Sequence, residues 1–127
     1  MIKIGITQRV IFTQNQSIDK LDSEWPLFLK KCNINFELIP NNFSVISEQY
    51  LNRFQGMIFT GGNSLVSCGG DASNRDLVEK KIFRWAHKKN VPILGVCRGM
   101  QIIQEEYGLK LKRIYGHVKR KQTIKVN

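Results

Sequence analysis

The sequence predicts an α/β fold, an open and mostly parallel β-sheet with helices on both faces. Short β-like runs alternate with helix-like runs along the chain, which is the pattern of parallel strands joined by crossover helices. The most apolar run, P-I-L-G-V at residues 92–96, is followed at once by an amphipathic segment. A chain of 127 residues fits one domain with a sizeable core, and we assign residues 1–127 to it.

Six runs predict the strands of this sheet. The run at residues 92–96 is apolar throughout, which predicts a central strand that is buried on both faces. Two alternating runs near the C-terminus, Leu109–Ile114 and Thr123–Val126, predict two further strands. The four strands before them are expected at residues 3–7, 36–39, 57–60 and 92–96.

Helices are predicted between these strands. An apolar stripe over residues 18–32 predicts the first helix, although Pro26 places the start of its regular part near Trp25. Candidate N-caps are Asp22 or Ser23 for this helix and Ser73 for the helix that ends before Asn90. The other helices are expected at residues 46–54, 73–89 and 100–107.

The net charge of +10 is concentrated near the C-terminus. Residues 110–127 hold seven basic and no acidic side chains, whereas the other 109 residues hold 13 basic and 10 acidic ones, a net charge of only +3. Such clusters are typical of a solvated face, and also of segments that bind nucleic acid or an acidic partner. Only Tyr107 and Tyr115 lie nearby for base stacking, which is a poor platform for nucleic acid.

The composition also argues against metal, membrane and secreted classes of protein. Three scattered cysteines fit neither a disulfide framework nor a zinc site, and with two histidines we expect no metal and no cofactor. No apolar run approaches the roughly 20 residues that span a bilayer. The N-terminus is too short and too polar for a signal peptide, so we expect a cytoplasmic protein that does not contact the membrane.

One cysteine stands in a pattern that predicts chemistry. Cys97 lies in G-V-C-R-G-M-Q, between an apolar strand and a helix, with glycine two places before and two places after it. A sharp turn at such a junction lifts a nucleophile above the sheet, and side chains at Gly95 and Gly99 would collide across it. By contrast, Cys32 lies on the apolar stripe of the first helix and is expected in the core, and Cys68 in a glycine-rich loop is expected to be incidental.

The predicted turn would also provide hydrogen-bond donors for an oxyanion. A thiol at a helix N-terminus faces the positive end of the helix dipole and free backbone N–H groups, which favours the thiolate. We expect the amide of Arg98 to point toward the charge of a tetrahedral intermediate, and the amide of Gly62, at the end of the neighbouring strand, to be the second donor.

These motifs resemble the class I glutamine amidotransferases, and within them the γ-glutamyl-γ-aminobutyrate hydrolases of the peptidase C26 group. The resemblance implies the flavodoxin-like sheet of that family, and its parts follow the family's order along nearly the whole chain. They are K-I-G-I-T-Q-R at residues 3–9, F-T-G-G at 59–62, R-D-L-V-E at 75–79, P-I-L-G-V-C-R-G-M-Q at 92–101 and Gly116-His117.

The resemblance implies a role for each site residue and a class of substrate. Cys97 would attack a γ-glutamyl carbonyl of a small molecule and form a thioester, while Gln101 and Gly61 would contact the glutamyl group. Asn63 stands where amidotransferases with a synthetase partner often have proline, which favours the hydrolase branch. The I-T-Q-R opening hints at members that act on nucleotide-linked γ-glutamyl amides. The resemblance does not identify the amine half of the substrate.

One part of the family's pattern is not matched in this sequence. Members use a histidine base oriented by a glutamate two residues later, and no H-x-E pair follows Cys97 here. His87 is expected at the surface, and His117 is expected to be structural or at the edge of the substrate rather than the base. We therefore expect an incomplete fold whose turnover alone is slow or absent. The rest of the fold comes from a homodimer partner or a complementing subunit, or is missing from a truncated sequence.

Two alternatives stay open at this point. The chain can be a non-catalytic binding or assembly module that keeps the fold without the catalytic set of residues. It can also be a nucleic-acid-binding protein that uses the basic C-terminal segment, in which case its affinity would fall steeply with added salt.

Overall fold

The computed structural model describes all 127 residues and contains a four-stranded parallel sheet, which confirms the predicted fold class. The strands, in chain order, are β1 (Lys3–Thr7), β2 (Arg9–Phe12), β3 (Ser17–Lys20), β4 (Asn35–Ile39), β5 (Gly56–Phe59) and β6 (Ile93–Gly95). The sheet has the order β4-β1-β5-β6, so β1 lies between two partners. In the register, Ile4 is opposite both Phe36 and Gly56, and Met57 is opposite Ile93.

Helices cover both faces of the sheet. The helices are α1 (Glu24–Lys31), α2 (Glu48–Leu51), α3 (Ser73–Lys89) and α4 (Arg98–Glu106), with short 3₁₀ segments at Phe43–Val45 and Val66–Cys68. On one face, Leu29 of α1 packs with Ile4, Ile6 and Ile58. On the other face, a larger core joins the alternate sheet residues to α3 and α4; it includes Ile39, Met57, Phe59, Val78, Ile82 and Ile102. No helix is long and apolar enough to cross a membrane.

The N-terminal third differs from the prediction. Residues 9–20 form an antiparallel hairpin of β2 and β3, so Ile18 belongs to a strand and not to the first helix. Helix α1 begins at Glu24 with Ser23 as its N-cap, as predicted, and the Glu24 N–H donates to the Asp22 carboxylate at 3.1 Å. The predicted helix at residues 46–54 is reduced to the four-residue helix α2, and a 3₁₀ turn at Phe43–Val45 precedes it. The expected burial of Cys32 was also wrong: it is exposed at the C-terminal cap of α1.

Two predictions about the second half also need correction. Strand β6 is not central, because it pairs with β5 alone and Leu94 is 52% exposed. Leu109–Ile114 and Thr123–Val126 form no strands, because no neighbouring strand pairs with them and Ile114, Ile124 and Val126 stay exposed. An alternating pattern forms a strand only when a partner satisfies its backbone groups.

Candidate active site

Cys97 occupies a sharp turn between β6 and α4. Its φ of 55° and ψ of −110° lie outside the backbone regions that residues other than glycine normally adopt. The residue is the N-cap of α4, and its carbonyl accepts the N–H of Gln101 at 3.2 Å. Its side chain does not cap the helix and the residue is exposed, so the thiol is free to meet a ligand.

The two glycines that flank Cys97 are required by crowding. A Cβ on Gly99 would lie 2.1 Å from the carbonyl oxygen of Phe59, which belongs to the neighbouring strand β5. A Cβ on Gly95 would lie 2.8 Å from the backbone of Gly99. Because both contacts are with backbone atoms, the turn can close only when these positions lack side chains. The collision that the spacing predicted is therefore confirmed.

The end of β5 faces the cysteine turn. The N–H of Val96 donates to the carbonyl of Phe59 at 2.9 Å, which extends the β5–β6 pairing up to the turn. A Cβ on Gly61 would lie 3.3 Å from Cys97 Cβ and 3.8 Å from its Sγ, so a bare backbone is next to the thiol. Gly62 follows with a φ of +84°, which glycine adopts readily. The structure thus brings Gly61 and Cys97 together, as the sequence predicted.

The side chain of Arg75, on α3, hydrogen-bonds the backbone of residues 60–62, which we call the glycine loop. Its guanidinium donates to the carbonyl of Thr60 at 2.8 Å and to the carbonyl of Gly61 at 3.1 Å, and it also donates to the carbonyl of Gly62. The residue is fully buried, and burial lowers the pKa of its guanidinium, an effect that the neighbouring Glu79 carboxylate opposes. One side chain therefore binds three consecutive carbonyls beside the thiol.

Arg98 has a buried side chain as well as the amide that the sequence singled out. Its guanidinium forms ion pairs with the carboxylates of Asp76 and Glu79, both on α3. Glu79 is shared, because it also pairs with Arg75 at 3.1 Å and accepts a hydrogen bond from the Thr7 hydroxyl at 2.8 Å. The ends of β1 and β5 and the start of α4 are thus all connected to α3 through one buried ionic cluster.

Asn63 joins the glycine loop to the hairpin. Its side-chain oxygen accepts the N–H of Val10 at 2.8 Å, and its side-chain nitrogen donates to the carbonyl of Val10 at 2.9 Å. Proline at this position would lack the amide that makes both bonds. The Asn63 side chain therefore has a structural role, because it connects strand β2 to the loop at Gly62.

Neither histidine hydrogen-bonds the thiol of Cys97. His87 stacks on Phe83 at a ring distance of 6.1 Å, and His117 contacts Gln122 at 3.1 Å. That neither histidine is the base stays a prediction. Gln101 lies in the first turn of α4 and is partly buried.

Our sequence reasoning missed the roles of Arg75, Asp76 and Glu79. The pattern Ser73-x-x-Asp76 was interpreted as a helix cap, but the N-cap is Ala72 and the Asp76 carboxylate binds Arg98 and the N–H of Val66. A signal for these residues exists in the sequence. They recur at helical spacing on the face that also carries Val78, Ile82 and Ala86, and charged side chains on an apolar stripe indicate a buried ionic cluster.

Comparisons with known proteins agree with this geometry. The family model described as Peptidase C26 matches residues 30–125. A gamma-glutamyl-CDP-amidate hydrolase of Campylobacter jejuni is 29% identical over 120 residues, which cover 91% of this chain and 60% of the hydrolase. A glutamine-hydrolyzing GMP synthase of a Wolbachia species is 32% identical over 98 residues, which are 77% of this chain and 18% of the synthase. A protein of Pyrococcus abyssi that is named as one subunit of a glutamine-hydrolyzing GMP synthase is 33% identical over 85 residues, 67% of this chain and 40% of that protein.

The chain therefore spans less than two thirds of the length of each of these relatives. The family match covers most of its 127 residues and includes the glycine loop and the cysteine turn. The chain belongs to the peptidase C26 family, within the class I glutamine amidotransferase-like proteins.

Proposed function

We propose that this chain is a cysteine-dependent amidohydrolase that cleaves a γ-glutamyl amide through a thioester on Cys97. The observation that carries the proposal is the turn itself: an exposed thiol, in a strained backbone conformation at the start of a helix, directly beside the bare backbone of Gly61. We interpret this turn as a nucleophile elbow, because a sharp strand-to-helix turn with an exposed nucleophile is the mark of that motif. The coarser assignment to a glutamine amidotransferase-like or γ-glutamyl hydrolase-like family rests on the match to the family model.

The proposed reaction begins with attack of the Cys97 thiolate on the γ-carbonyl carbon. A carbon–sulfur bond forms, and the carbonyl oxygen becomes an oxyanion that accepts hydrogen bonds from the amides of Gly62 and Arg98. The carbon–nitrogen bond then breaks, the amine leaves with a proton, and water hydrolyses the thioester. Gly61 and Gln101 are the proposed contacts of the glutamyl group.

The acid/base group for these proton transfers is proposed to come from outside these 127 residues. Neither histidine of the chain hydrogen-bonds the thiol, and no other side chain does. A further part of the same polypeptide, a second copy or a complementing polypeptide would supply a histidine to protonate the leaving amine and to activate the water. The relative from Pyrococcus abyssi is named as one part of a larger GMP synthase, which supports a partnered arrangement.

The proposed substrate class is a small-molecule γ-glutamyl amide. The name of the Campylobacter jejuni relative specifies a γ-glutamyl group, and the names of the GMP synthases specify glutamine, which is itself a γ-amide of glutamate. The hydrolase branch is proposed over the synthetase branch because Asn63 stands where, by the resemblance, amidotransferases with a synthetase partner often have proline. Contacts to the amine half would come from the loop between Gly61 and Ala72, beside the thiol.

An activated ester tests the proposed thioester without the missing base. In γ-glutamyl p-nitrophenyl ester the leaving group departs as p-nitrophenolate and needs no proton. We expect one equivalent of p-nitrophenolate in a rapid burst, and a loss of more than about 100-fold in burst rate in Cys97→Ser. Cys32→Ser and Cys68→Ser remove the other two exposed thiols and serve as matched controls. A burst that survives Cys97→Ser would contradict the proposal.

The absence of a base at the thiol favours one other candidate, a non-catalytic module that retains the fold. Such a module would show no burst while its circular dichroism spectrum remains that of a folded α/β protein. The ester experiment therefore separates the two candidates in one measurement.

A further inference from the structure

Four charged side chains lie buried beneath the cysteine turn. Arg75, Asp76, Glu79 and Arg98 are each at most 6% exposed. Burying an ion costs several kcal/mol, and apolar residues of similar volume often replace a buried ionic cluster without loss of stability. Stability is therefore a poor explanation for this cluster. Its contacts with the backbone beside the thiol suggest that it orients that backbone instead.

On one side, the cluster fixes the direction of a backbone N–H. The carbonyl of Gly61 and the N–H of Gly62 belong to one trans peptide, so they point in opposite directions. Because the Arg75 guanidinium donates to the carbonyl of Gly61 at 3.1 Å, the N–H of Gly62 points away from the guanidinium. The bonds from Arg75 to the carbonyls of Thr60 and Gly62 prevent the neighbouring peptides from rotating.

On the other side, the cluster fixes the start of α4. Arg98 is the first residue of that helix, and its side chain binds Asp76 and Glu79. Glu79 also binds Arg75, so one carboxylate connects the two residues that hold the two proposed oxyanion donors. A displacement of either arginine would change the distance between the N–H of Gly62 and the N–H of Arg98.

We propose that Glu79, with the side chains of Arg75 and Arg98, sets the spacing and direction of the two oxyanion donors. The three side chains have a positioning role, because they act through the backbone and not by contact with substrate. The proposal rests on the function proposed above for Cys97. It assigns to the R-D-L-V-E segment at residues 75–79 a role in the rate of acylation. The reactivity of the thiol itself depends on the turn at Cys97 and not on this segment.

Two reactions of the same thiol test this proposal in the full chain. Acylation by γ-glutamyl p-nitrophenyl ester passes through an oxyanion, whereas alkylation by iodoacetamide displaces iodide at a saturated carbon and forms none. In Glu79→Gln we expect the maximal acylation rate to fall about ten- to a hundredfold, with the half-saturating ester concentration little changed. Because alkylation forms no oxyanion, we expect the alkylation rate of Cys97 to change by less than about threefold.

Glu37→Gln is the matched control, since it makes the same chemical change in a carboxylate on β4 that pairs with Lys3 and Arg53. It should acylate at the wild-type rate. Acylation at the wild-type rate in Glu79→Gln would overturn the proposal. A parallel fall of acylation and alkylation would overturn it too, because the thiol and not the oxyanion site would then have changed.

A second variant covers the case in which Glu79→Gln does not fold. Arg75→Lys keeps the charge opposite Glu79, but the three N–H donors of an ammonium are too few to bind Glu79 and three consecutive carbonyls together. It should show the same selective loss of acylation. If neither variant folds, as judged by circular dichroism, the cluster serves stability and the proposal is wrong. If the wild-type chain is not acylated at Cys97, the proposed function fails before the positioning role is reached.

Discussion

Cys97 combines exposure with a backbone conformation that costs free energy. Conformations of this kind cost of the order of 1–3 kcal/mol and persist only where the surrounding structure enforces them. Here the enforcement is visible, because Gly99 lies against the carbonyl of Phe59 and Gly95 against Gly99. Strain at an exposed thiol indicates that its position matters for more than packing.

Gly62 offers a direct test at the scale of one residue. Its φ of +84° makes alanine unfavourable by about 1–2 kcal/mol, and a Cβ would lie 2.8 Å from the flexible Arg9 side chain. We expect urea unfolding of Gly62→Ala to show a loss of stability of about that size. We also expect the rate of the p-nitrophenolate burst to fall more than about tenfold, because the amide donor moves.

Gly69→Ala is the control for Gly62→Ala. Gly69 has a similar φ of +88°, but a Cβ there would meet no atom within 4 Å. It should show a comparable loss of stability and an unchanged burst. Equal burst rates in the two variants would show that the Gly62 amide has no part in acylation.

At the scale of elements, α3 carries the organisation of the site. One face of this 17-residue helix packs Val78 and Ile82 into the core, and its first two turns present Arg75 and Glu79 to the glycine loop and to α4. The helix ends at Asn90, whose φ of 56° closes the last turn. The same element thus stabilises the sheet and orients the backbone beside the thiol.

Strand β4 at the opposite edge is predicted to respond to acid. The hydrogen bond from Lys3, together with Arg53, holds the pKa of Glu37 below its ordinary value of 4.5. A carboxylate of lowered pKa stabilises the fold above pH 4.5, and this contribution is lost as the pH falls through the folded-state value. Because the ion pairs are partly exposed, we expect Glu37→Gln to cost about 0.5 kcal/mol at pH 7 and less at pH 3, measured by urea unfolding. Equal losses at both pH values would contradict this explanation.

The sequence predicted those features that depend on local chemistry. The strand-to-helix turn at Cys97, the crowding of its glycines and the length of α3 follow from spacing within a few residues, and the structure confirms them. The hairpin of β2 and β3 was missed because the apolar residues near Ile18 fit a helical period as well as a strand. The ionic cluster was missed because its four members meet only when α3 packs beneath the turn.

At the scale of the whole molecule, strand β6 forms a free edge of the sheet. Leu94 and Val96 are 52% and 36% exposed there, and with Trp25 and Phe28 of α1 they line an open apolar groove of about 360 Å³. The apolar composition of residues 92–96 predicted a central strand, and a strand reaches that position only when a neighbour lies on each side. Position in a sheet is a long-range property, which composition alone does not determine.

The basic C-terminal segment is also a feature of the whole molecule. Its seven basic side chains are exposed and lie in irregular structure, which agrees with the interpretation of a solvated surface. Binding of nucleic acid by this segment stays a prediction of the second alternative, and the steep salt dependence expected for it is easily measured.

Selective modification of one thiol among three tests the central claim most directly. All three cysteines are exposed, so a general alkylating agent should reach each of them. A diazo ketone that mimics glutamine should instead modify Cys97 alone, with protection by a γ-glutamyl amide, when the labelled peptides are identified by mass spectrometry. Equal labelling of Cys32, Cys68 and Cys97, or labelling that a γ-glutamyl amide does not slow, would contradict the account.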